Sequence, residues 1–335
     1  MLPNKYKAVT HEASINKILD AKKKLGKKVF ILAHHYQRDE IVEIADAVGD
    51  SLKLSKIAAA TKSKYIIFCG VHFMAETADI INKGKKVVIL PDINAGCPMA
   101  DMAEIEQVEK TWMQIDNKDF IPVTYINSKA QVKAFCGKNN GYICTSSNAD
   151  KILHHLFKNN KKVFFLPDKN LGINTANKLG LSKSEIKKKL FLWDGYCPVH
   201  MLFKTEQVEK IKQADPEVNI LVHPEVPPQV AAKADFMGST EYIIDTVQKA
   251  KKGTKWAIAT EVHLVARIAR KNPDKHIQLL SSPVCMCSMM DRTSPQHVAY
   301  VMESLLQNKI INRIKVEKNT ARLANLAIKR MLQIS

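Results

Sequence analysis

Short apolar runs alternate with amphipathic stretches along almost the whole chain. The runs are rich in β-branched and aromatic residues, which favour strands. They lie at 29–33, 64–69, 87–90, 121–126, 141–144, 163–166, 190–193, 218–222, 234–237, 256–260 and 276–280. Between them, apolar residues recur with the spacing of one helix face, for example at 13–25, 39–61 and 206–213. Strands that alternate with helices form parallel sheets through crossover connections, so the pattern predicts an α/β protein.

The number of strands and the repeats at their ends predict several small sheets. About a dozen strands exceed what one compact sheet usually holds. Leu-Pro-Asp at 90–92 recurs at 166–168, and Cys-Pro at 97–98 recurs at 197–198. Cys97, Cys197 and Cys287 are nearly equally spaced, and each follows a predicted strand. This spacing indicates three similar α/β units around a shared centre, each presenting one cysteine from the carboxyl end of its sheet, where open α/β sheets bind ligands.

Composition and length fit an ordinary globular protein of two or three domains. The chain has 335 residues, of which 46% are hydrophobic and 25% charged. The first residues lack the apolar stretch of a secretory signal, and no apolar run approaches the roughly 18 residues that span a bilayer. We therefore expect a cytoplasmic protein that does not insert into membranes.

The net charge of +18 raises the alternative of a nucleic-acid-binding protein. The lysines are scattered, however, and no helix-turn-helix, zinc-finger or ribonucleoprotein pattern accompanies them. We expect no nucleic-acid partner. A positive field would instead concentrate small anionic substrates near a cleft.

The cysteines are the strongest chemical signal in the sequence. Seven cysteines without a compact disulfide pattern are, in a reducing compartment, packing residues, nucleophiles or metal ligands. Cys97 and Cys197 begin Cys-Pro pairs after strands, and Cys287 lies close to the helix start at 293–295. Three thiolates could hold an iron–sulfur cluster with one open iron, whereas a zinc hydrolase or deaminase is an alternative use of cysteine and histidine. The cysteines without this setting are assigned to packing: Cys69, Cys136 and Cys144.

Polar residues at other strand ends could bind an anionic substrate and transfer protons. The histidines are His34, His200 and His223, and Glu225 lies two residues after the last of them. Such a set can bind carboxylates and move protons. Groups of Ser, Thr and Asn at 127–128, 145–148 and 238–240 occupy similar positions before predicted helices. They could be helix N-caps or part of an anion site, and the two uses are compatible.

Ordered motifs over nearly the whole chain resemble the quinolinate synthase family of NAD biosynthesis. They lie at 33–37 (AHHYQ), 49–51 (GDS), 73–76 (FMAE), 97–100 (CPMA), 125–128 (YINS), 144–148 (CTSSN), 167–172 (PDKNLG), 197–200 (CPVH), 223–225 (HPE), 238–240 (GST) and 260–261 (TE). The resemblance implies three similar αβα domains in pseudo-threefold arrangement around a central active site. The domains would be 1–100 with the C-terminal helices 288–335, 101–197 and 198–287. It also implies one [4Fe-4S] cluster on Cys97, Cys197 and Cys287, with one open iron.

The resemblance further implies the reaction and the residues that perform it. Iminoaspartate and dihydroxyacetone phosphate would condense, lose phosphate and water, and close to quinolinate, with the open iron as Lewis acid. L-aspartate oxidase, which makes iminoaspartate, is the implied functional partner. An alternative is another [4Fe-4S]-dependent dehydratase or lyase for a small dicarboxylate. The implied catalytic residues are Tyr36, His200 and Glu225, and the implied substrate-binding residues are His34, Ser51, Tyr125, Asn127, Ser146, His223, Ser239 and Thr240.

Three positions depart from the family pattern. His35 replaces the usual asparagine, and Ala259 replaces a glycine, so the backbone there cannot depend on a positive φ. The third cysteine region contains both Cys285 and Cys287. The register of Met290 and of the helix start after it favours Cys287 as the ligand.

Overall fold

The computed structural model describes residues 2–115, 119–281 and 285–334, which group into two compact units. The first unit contains the chain up to Cys97 together with Cys287–Arg322. The second contains Pro98–Met286 and the C-terminal segment from Leu323. The boundaries of the three domains expected from the sequence stay a prediction.

The first unit is built on a five-stranded sheet. Its strands, in spatial order, are Arg313–Ile314, Val87–Ile89, Tyr65–Cys69, Val29–His34 and Ala47–Gly49. All neighbours pair in parallel except Arg313–Ile314, which is an antiparallel edge strand. The helices of this unit are Asn4–Lys7, His11–Leu25, Asp39–Ile44, Ser51–Ala60, His72–Asn82, Ser288–Asp291 and Pro295–Leu306, and a 3-10 turn spans Gly26–Lys28.

The second unit contains two four-stranded parallel sheets. The strands of one are Tyr142–Cys144, Phe120–Tyr125, Lys162–Leu166 and Leu190–Leu192, in spatial order. The strands of the other are Phe236–Met237, Asn219–Val222, Lys255–Ala259 and His276–Leu279. The helices are Pro98–Asp101, Ile105–Gln114, Ala130–Lys138, Ala149–Lys158, Lys169–Lys178, Lys183–Lys189, Thr205–Ala214, Pro228–Ala231, Thr240–Lys249 and Val262–Lys271, with a 3-10 turn at His200–Leu202. Lys318–Ile334 begins in the first unit and ends in the second.

The three sheets share one topology, which confirms the prediction of three similar α/β units. In each of them the parallel strands follow the spatial order second, first, third, fourth along the chain. The likeness extends to side chains: Asp46 accepts a hydrogen bond from the amide of Ile31, and Asp235 accepts one from the amide of Ile220, both at 2.7 Å. The chain adds the second strand on one side of the first strand and the third and fourth strands on its other side. In open α/β sheets, ligands bind at the carboxyl ends of the strands next to such a reversal of strand order.

The cores confirm the predicted strands and correct one predicted helix. Strands such as Tyr65–Cys69 are buried almost throughout, as expected for parallel strands covered on both faces. The prediction of one amphipathic helical element at 39–61 is wrong, because the strand Ala47–Gly49 interrupts it. That strand exists through its pairing with Leu32–His34, a contact that local periodicity does not encode.

Gly137 allows a close approach between two helices of the second unit. A Cβ atom added there would lie 1.9 Å from the carbonyl oxygen of Leu323. We expect Gly137→Ala to lower the free energy of unfolding by about 1–3 kcal/mol, because overpacking outweighs the better helix propensity of alanine. Urea denaturation of the metal-free protein would measure this. Gly96→Ala is the control, since a Cβ there meets no atom within 4 Å; equal stability of both variants would contradict the prediction.

Candidate active site

The residues predicted to act on substrate follow equivalent strands of the three sheets. At the carboxyl end of the first strand of each sheet lie His34 and Tyr36, Tyr125 and Asn127, and His223 and Glu225. After the second strand come Ser51, Ser146, and Ser239 with Thr240. After the fourth strand come Cys97, Cys197 and Cys287. The repeated topology therefore places mixed polar side chains after the first strands, hydroxyls after the second strands and thiols after the fourth strands.

In the first unit, His34 and Tyr36 form a compact pair at the end of Val29–His34. His34 is buried, and its Nδ1 accepts a hydrogen bond from the backbone amide of Tyr36 at 3.1 Å. An accepting Nδ1 carries no proton, so the neutral ring presents its N–H at Nε2. The side chain of Gln37 donates to the carbonyl of Met290, and Arg38 bonds to Asp291, which ties this loop to the helix after Cys287.

In the second unit, His200 lies at the centre of a buried polar group. Its Nδ1 is 2.9 Å from Oε2 of Glu225 and 3.2 Å from Sγ of Cys197. Its Nε2 is 3.2 Å from the hydroxyl of Thr260, and Tyr125 also hydrogen-bonds to the carboxylate of Glu225. Thr260 follows Ala259, which ends its strand without a positive φ, as predicted. Residues far apart in sequence thus meet around one carboxylate.

His223 repeats the arrangement of His34. Its Nδ1 accepts from the backbone amide of Glu225 at 3.4 Å, and its ring lies 4.8 Å from that of His200. Glu225 lies two residues after His223, a spacing that within one strand would bring both side chains to the same side. The strand ends at Val222, however, and a turn brings the His223 Nδ1 to 3.9 Å from the Glu225 carboxylate.

Burial and neighbouring charges separate the protonation states of this group. Burial alone would raise the pKa of Glu225, but His200 and His223 and the hydrogen bonds from His200 and Tyr125 outweigh it and lower that pKa to about 2. Burial, opposed by Glu225 and assisted by His200, lowers the pKa of His223 to about 3. At neutral pH the carboxylate is therefore ionised and His223 is neutral, which suits a base beside a hydrogen-bond donor.

These shifts predict acid sensitivity. His223 binds a proton in the unfolded chain below about pH 6.5 but resists it in the folded protein. The contribution of His223 to stability is therefore fully present above that pH and is lost as the pH falls toward 3. Protonation of Glu225 adds to the loss below the ordinary pKa of a glutamate. We expect the free energy of unfolding of the metal-free protein to fall by about 2 kcal/mol between pH 7 and pH 5. His223→Asn should flatten this dependence in urea titrations, and an equally steep profile in that variant would contradict the assignment.

Three buried residues that sequence reasoning gave no role hold the active-site loops in place. Asp168 accepts hydrogen bonds from the backbone amides of Leu171 and Cys197; burial and then the charge of Glu225 raise its pKa well above the usual range. The side-chain amide of Asn174 donates to the carbonyls of Pro224 and Val226 at 2.9 and 2.8 Å, and Asn170 donates to that of Glu225. Two of these residues, Asp168 and Asn170, lie in the sequence motif at 167–172, and that motif was the signal that could have identified them.

The cysteines form two groups that differ in burial. Cys97, Cys197 and Cys287 are partly exposed, whereas the remaining four are buried. Burial raises the pKa of the buried thiols, as it does for Cys69 and Cys136, and therefore disfavours the thiolates that iron needs. Cys285 lies in the apolar core of the second unit, so its packing also favours Cys287 as the ligand. The three partly exposed cysteines fit an iron–sulfur group by the chemistry of the donor set.

The polar groups before helices are caps in one case only. Ser239 caps Thr240–Lys249 by accepting from the amide of Tyr242. Asn148 does not cap its helix; its side-chain oxygen accepts a hydrogen bond from the amide of Thr145, in the turn that contains Ser146. After the pair at 127–128, the N-cap position of the next helix is occupied by Lys129. The hydroxyl of Thr240 and the side-chain oxygen (Oδ1) of Asn127 are buried without a hydrogen-bond partner in the described part of the chain. A buried unsatisfied polar atom is unfavourable, so both suit contact with a polar ligand.

Comparison with known proteins decides the family. The model of the quinolinate synthetase A protein family matches residues 16–333. The quinolinate synthase of Anoxybacillus flavithermus is 45% identical, with 99% of this chain and 96% of that protein covered. Those of Bacillus cereus strain Q1 and Geobacillus thermodenitrificans are 43% and 42% identical, and cover 99% and 100% of this chain and 96% and 97% of their own lengths. The chain belongs to the quinolinate synthase family.

Membership in the quinolinate synthase family confirms the resemblance found in the sequence. The chain is an enzyme, and the family and the names of its relatives support quinolinate synthase activity in NAD biosynthesis on small-molecule substrates. Among the described residues, no helix is both long and apolar enough to cross a membrane. Within the second unit, five of the predicted residues meet: Tyr125, Cys197, His200, His223 and Glu225. The roles of the individual residues stay predictions.

Proposed function

We propose that the enzyme condenses iminoaspartate with dihydroxyacetone phosphate and releases quinolinate, phosphate and water. The observation that carries this proposal is the buried group of Glu225, His200 and His223 beside Cys197. A condensation followed by dehydration and ring closure needs repeated proton transfers next to a centre that can polarise oxygen. An ionised carboxylate next to two imidazoles, of which that of His223 is neutral, and a thiol meets that need.

We propose Cys97, Cys197 and Cys287 as the ligands of one [4Fe-4S] cluster. Their partial exposure and the burial of the remaining cysteines support this choice. When bound, the cluster would supply an open iron that acts as a Lewis acid on substrate oxygen. The amide of Cys197 donates to Asp168, which fixes the loop that carries this ligand.

We propose Glu225 as the principal proton carrier and Tyr36 as a second one. The Glu225 carboxylate is ionised at neutral pH and can accept a proton, while His200 at 2.9 Å stabilises its charge. His200 is also within reach of the Cys197 sulfur, so it couples the carboxylate to the proposed ligand. Tyr36 carries a hydroxyl beside His34 and lies two residues after it, as Glu225 lies two residues after His223.

The anionic groups of the substrates would be held by donors at strand ends. His34 and His223 would each offer an Nε2–H, because their Nδ1 atoms accept backbone amides. Ser51 and Thr240 are the first residues of helices, where amides and the helix dipole favour carboxylate and phosphate. Ser146, Ser239, Tyr125 and Asn127 complete the proposed set.

The test is product formation by anaerobically purified protein. L-aspartate oxidase, the proposed supplier of unstable iminoaspartate, would generate it in the presence of dihydroxyacetone phosphate, with quinolinate and phosphate measured together. We expect equal amounts of both products, and we expect air to remove iron and activity in parallel. Iron-loaded protein that forms no quinolinate would overturn the proposal and favour another dicarboxylate dehydratase or lyase.

A further inference from the structure

Three different ligand types surround one point beside His200. The sulfur of Cys197, an imidazole nitrogen of His200 and a carboxylate oxygen of Glu225 all lie within 4.8 Å of one another. Thiolate, imidazole and carboxylate are the ligands that zinc uses in proteins, and three of them with an open fourth position form a common zinc site. His200 and Glu225 are buried, whereas Cys197 is partly exposed and gives access from solvent.

Groups around these three residues already have the arrangement of an outer ligand shell. The His200 ring turns Nδ1 toward the sulfur and the carboxylate, while Nε2 lies 3.2 Å from the Thr260 hydroxyl. In metal sites the second ring nitrogen is held in this way, which fixes the ring and its tautomer. Tyr125 hydrogen-bonds to Glu225, and Asn174 holds the carbonyls on both sides of it.

The hydroxyl of Thr260 suits both the metal-free and the metal-bound state. A hydroxyl both donates and accepts, so it can satisfy Nε2 whether or not that nitrogen carries a proton. In the metal-free state the His200 Nδ1 lies 2.9 Å from Oε2 of Glu225. A divalent cation at this point would balance the charges of a thiolate and a buried carboxylate.

We propose that Cys197, His200 and Glu225 bind a zinc ion in the cluster-free enzyme and thereby block iron–sulfur loading. The zinc site follows from the geometry alone, whereas the blocking effect rests on the proposed function of Cys197 as a cluster ligand. A thiolate committed to zinc is not available to iron, so the two metals compete by mass action. The site is distinct from the proposed cluster set, with which it shares one residue.

The experiment is a titration of the full-length apoprotein, prepared anaerobically with a chelator. Zinc affinity is measured by competition with a chromophoric chelator, and Co²⁺ serves as the spectroscopic probe. We expect one zinc ion per chain and a cobalt spectrum with tetrahedral d–d bands and thiolate charge transfer. His200→Ala and Glu225→Gln should weaken zinc binding, and Thr260→Val should weaken it by about 10-fold to 100-fold, the usual effect of an outer-shell change.

Cys97→Ser and Cys287→Ser are the matched controls. They remove a thiol that the zinc set does not contain, so they should keep wild-type zinc affinity although the proposed function predicts that they lose the cluster. Unchanged zinc affinity in His200→Ala, Glu225→Gln and Thr260→Val would overturn the site, and so would a wild-type apoprotein that binds no zinc. The Thr260 variant keeps all three ligands and guards against misfolding of the other two.

The blocking effect is tested by reconstitution with iron and sulfide. Apoprotein preloaded with zinc should take up less iron than untreated apoprotein, and His200→Ala should reduce this difference. Equal iron uptake with and without zinc would overturn the competition. If the apoprotein takes up no iron even without zinc, the proposed cluster fails while the zinc titration still decides the zinc site.

Discussion

Serine in place of Cys97, Cys197 or Cys287 is expected to abolish both iron–sulfur binding and quinolinate formation. Serine replaces a soft thiolate by a hard hydroxyl that is not ionised at neutral pH, and iron in a cluster requires thiolate. Each of the three positions should give the same result, because one cluster needs all of its ligands. Iron and sulfide per chain, the visible absorbance and the anaerobic turnover of each variant measure the effect.

The buried cysteines provide the controls for this experiment. Cys69, Cys136 and Cys144 are fully buried, so replacing any of them should leave the iron content intact. Cys285→Ala is the sharpest comparison, because it lies two residues from Cys287 but packs into a core. Full iron content in Cys197→Ser, or loss of the cluster in Cys285→Ala with a normally folded chain, would contradict the ligand set.

Glu225→Gln is expected to lower turnover by about 100-fold or more, the usual contribution of a positioned acid–base group. Glutamine keeps the size of the side chain and can still hydrogen-bond to His200 and Tyr125, but it cannot take up a proton. The variant should therefore keep its cluster and its affinity for quinolinate. The rate is measured under anaerobic conditions, with the visible spectrum and product binding determined on the same sample.

His223→Ala is the paired variant that separates binding from proton transfer. His223 is neutral and would offer an Nε2–H to an anionic group, so its loss should weaken product binding as well as turnover. A Glu225→Gln enzyme that turns over at nearly the wild-type rate would remove Glu225 from the role of proton carrier. Tyr36 would then be the next residue to test, by replacement with phenylalanine.

The strands and the family could be predicted from the sequence because both depend on local patterns. Parallel strands are buried on both faces and are therefore continuous apolar runs, so that runs such as 65–69 and 162–166 are visible without any knowledge of their partners. Two strands were missed, Ala47–Gly49 and Arg313–Ile314. Both are too short to show a periodicity of their own, and each is a strand only because a neighbouring strand offers it backbone hydrogen bonds.

The sequence by itself determined the α/β class, the repeat of three sheets and the family, and it proposed the candidate reactive side chains. Only the tertiary structure decided which of these side chains meet. Glu225 lies 2.9 Å from His200, and Asn174 reaches the carbonyls around that carboxylate from a helix beside another sheet. Apolar periodicity records how one segment buries its own face, whereas a contact between distant segments depends on how whole sheets and helices pack. The burial that lowers the pKa of His223 arises at that level and leaves no trace in the residues around it.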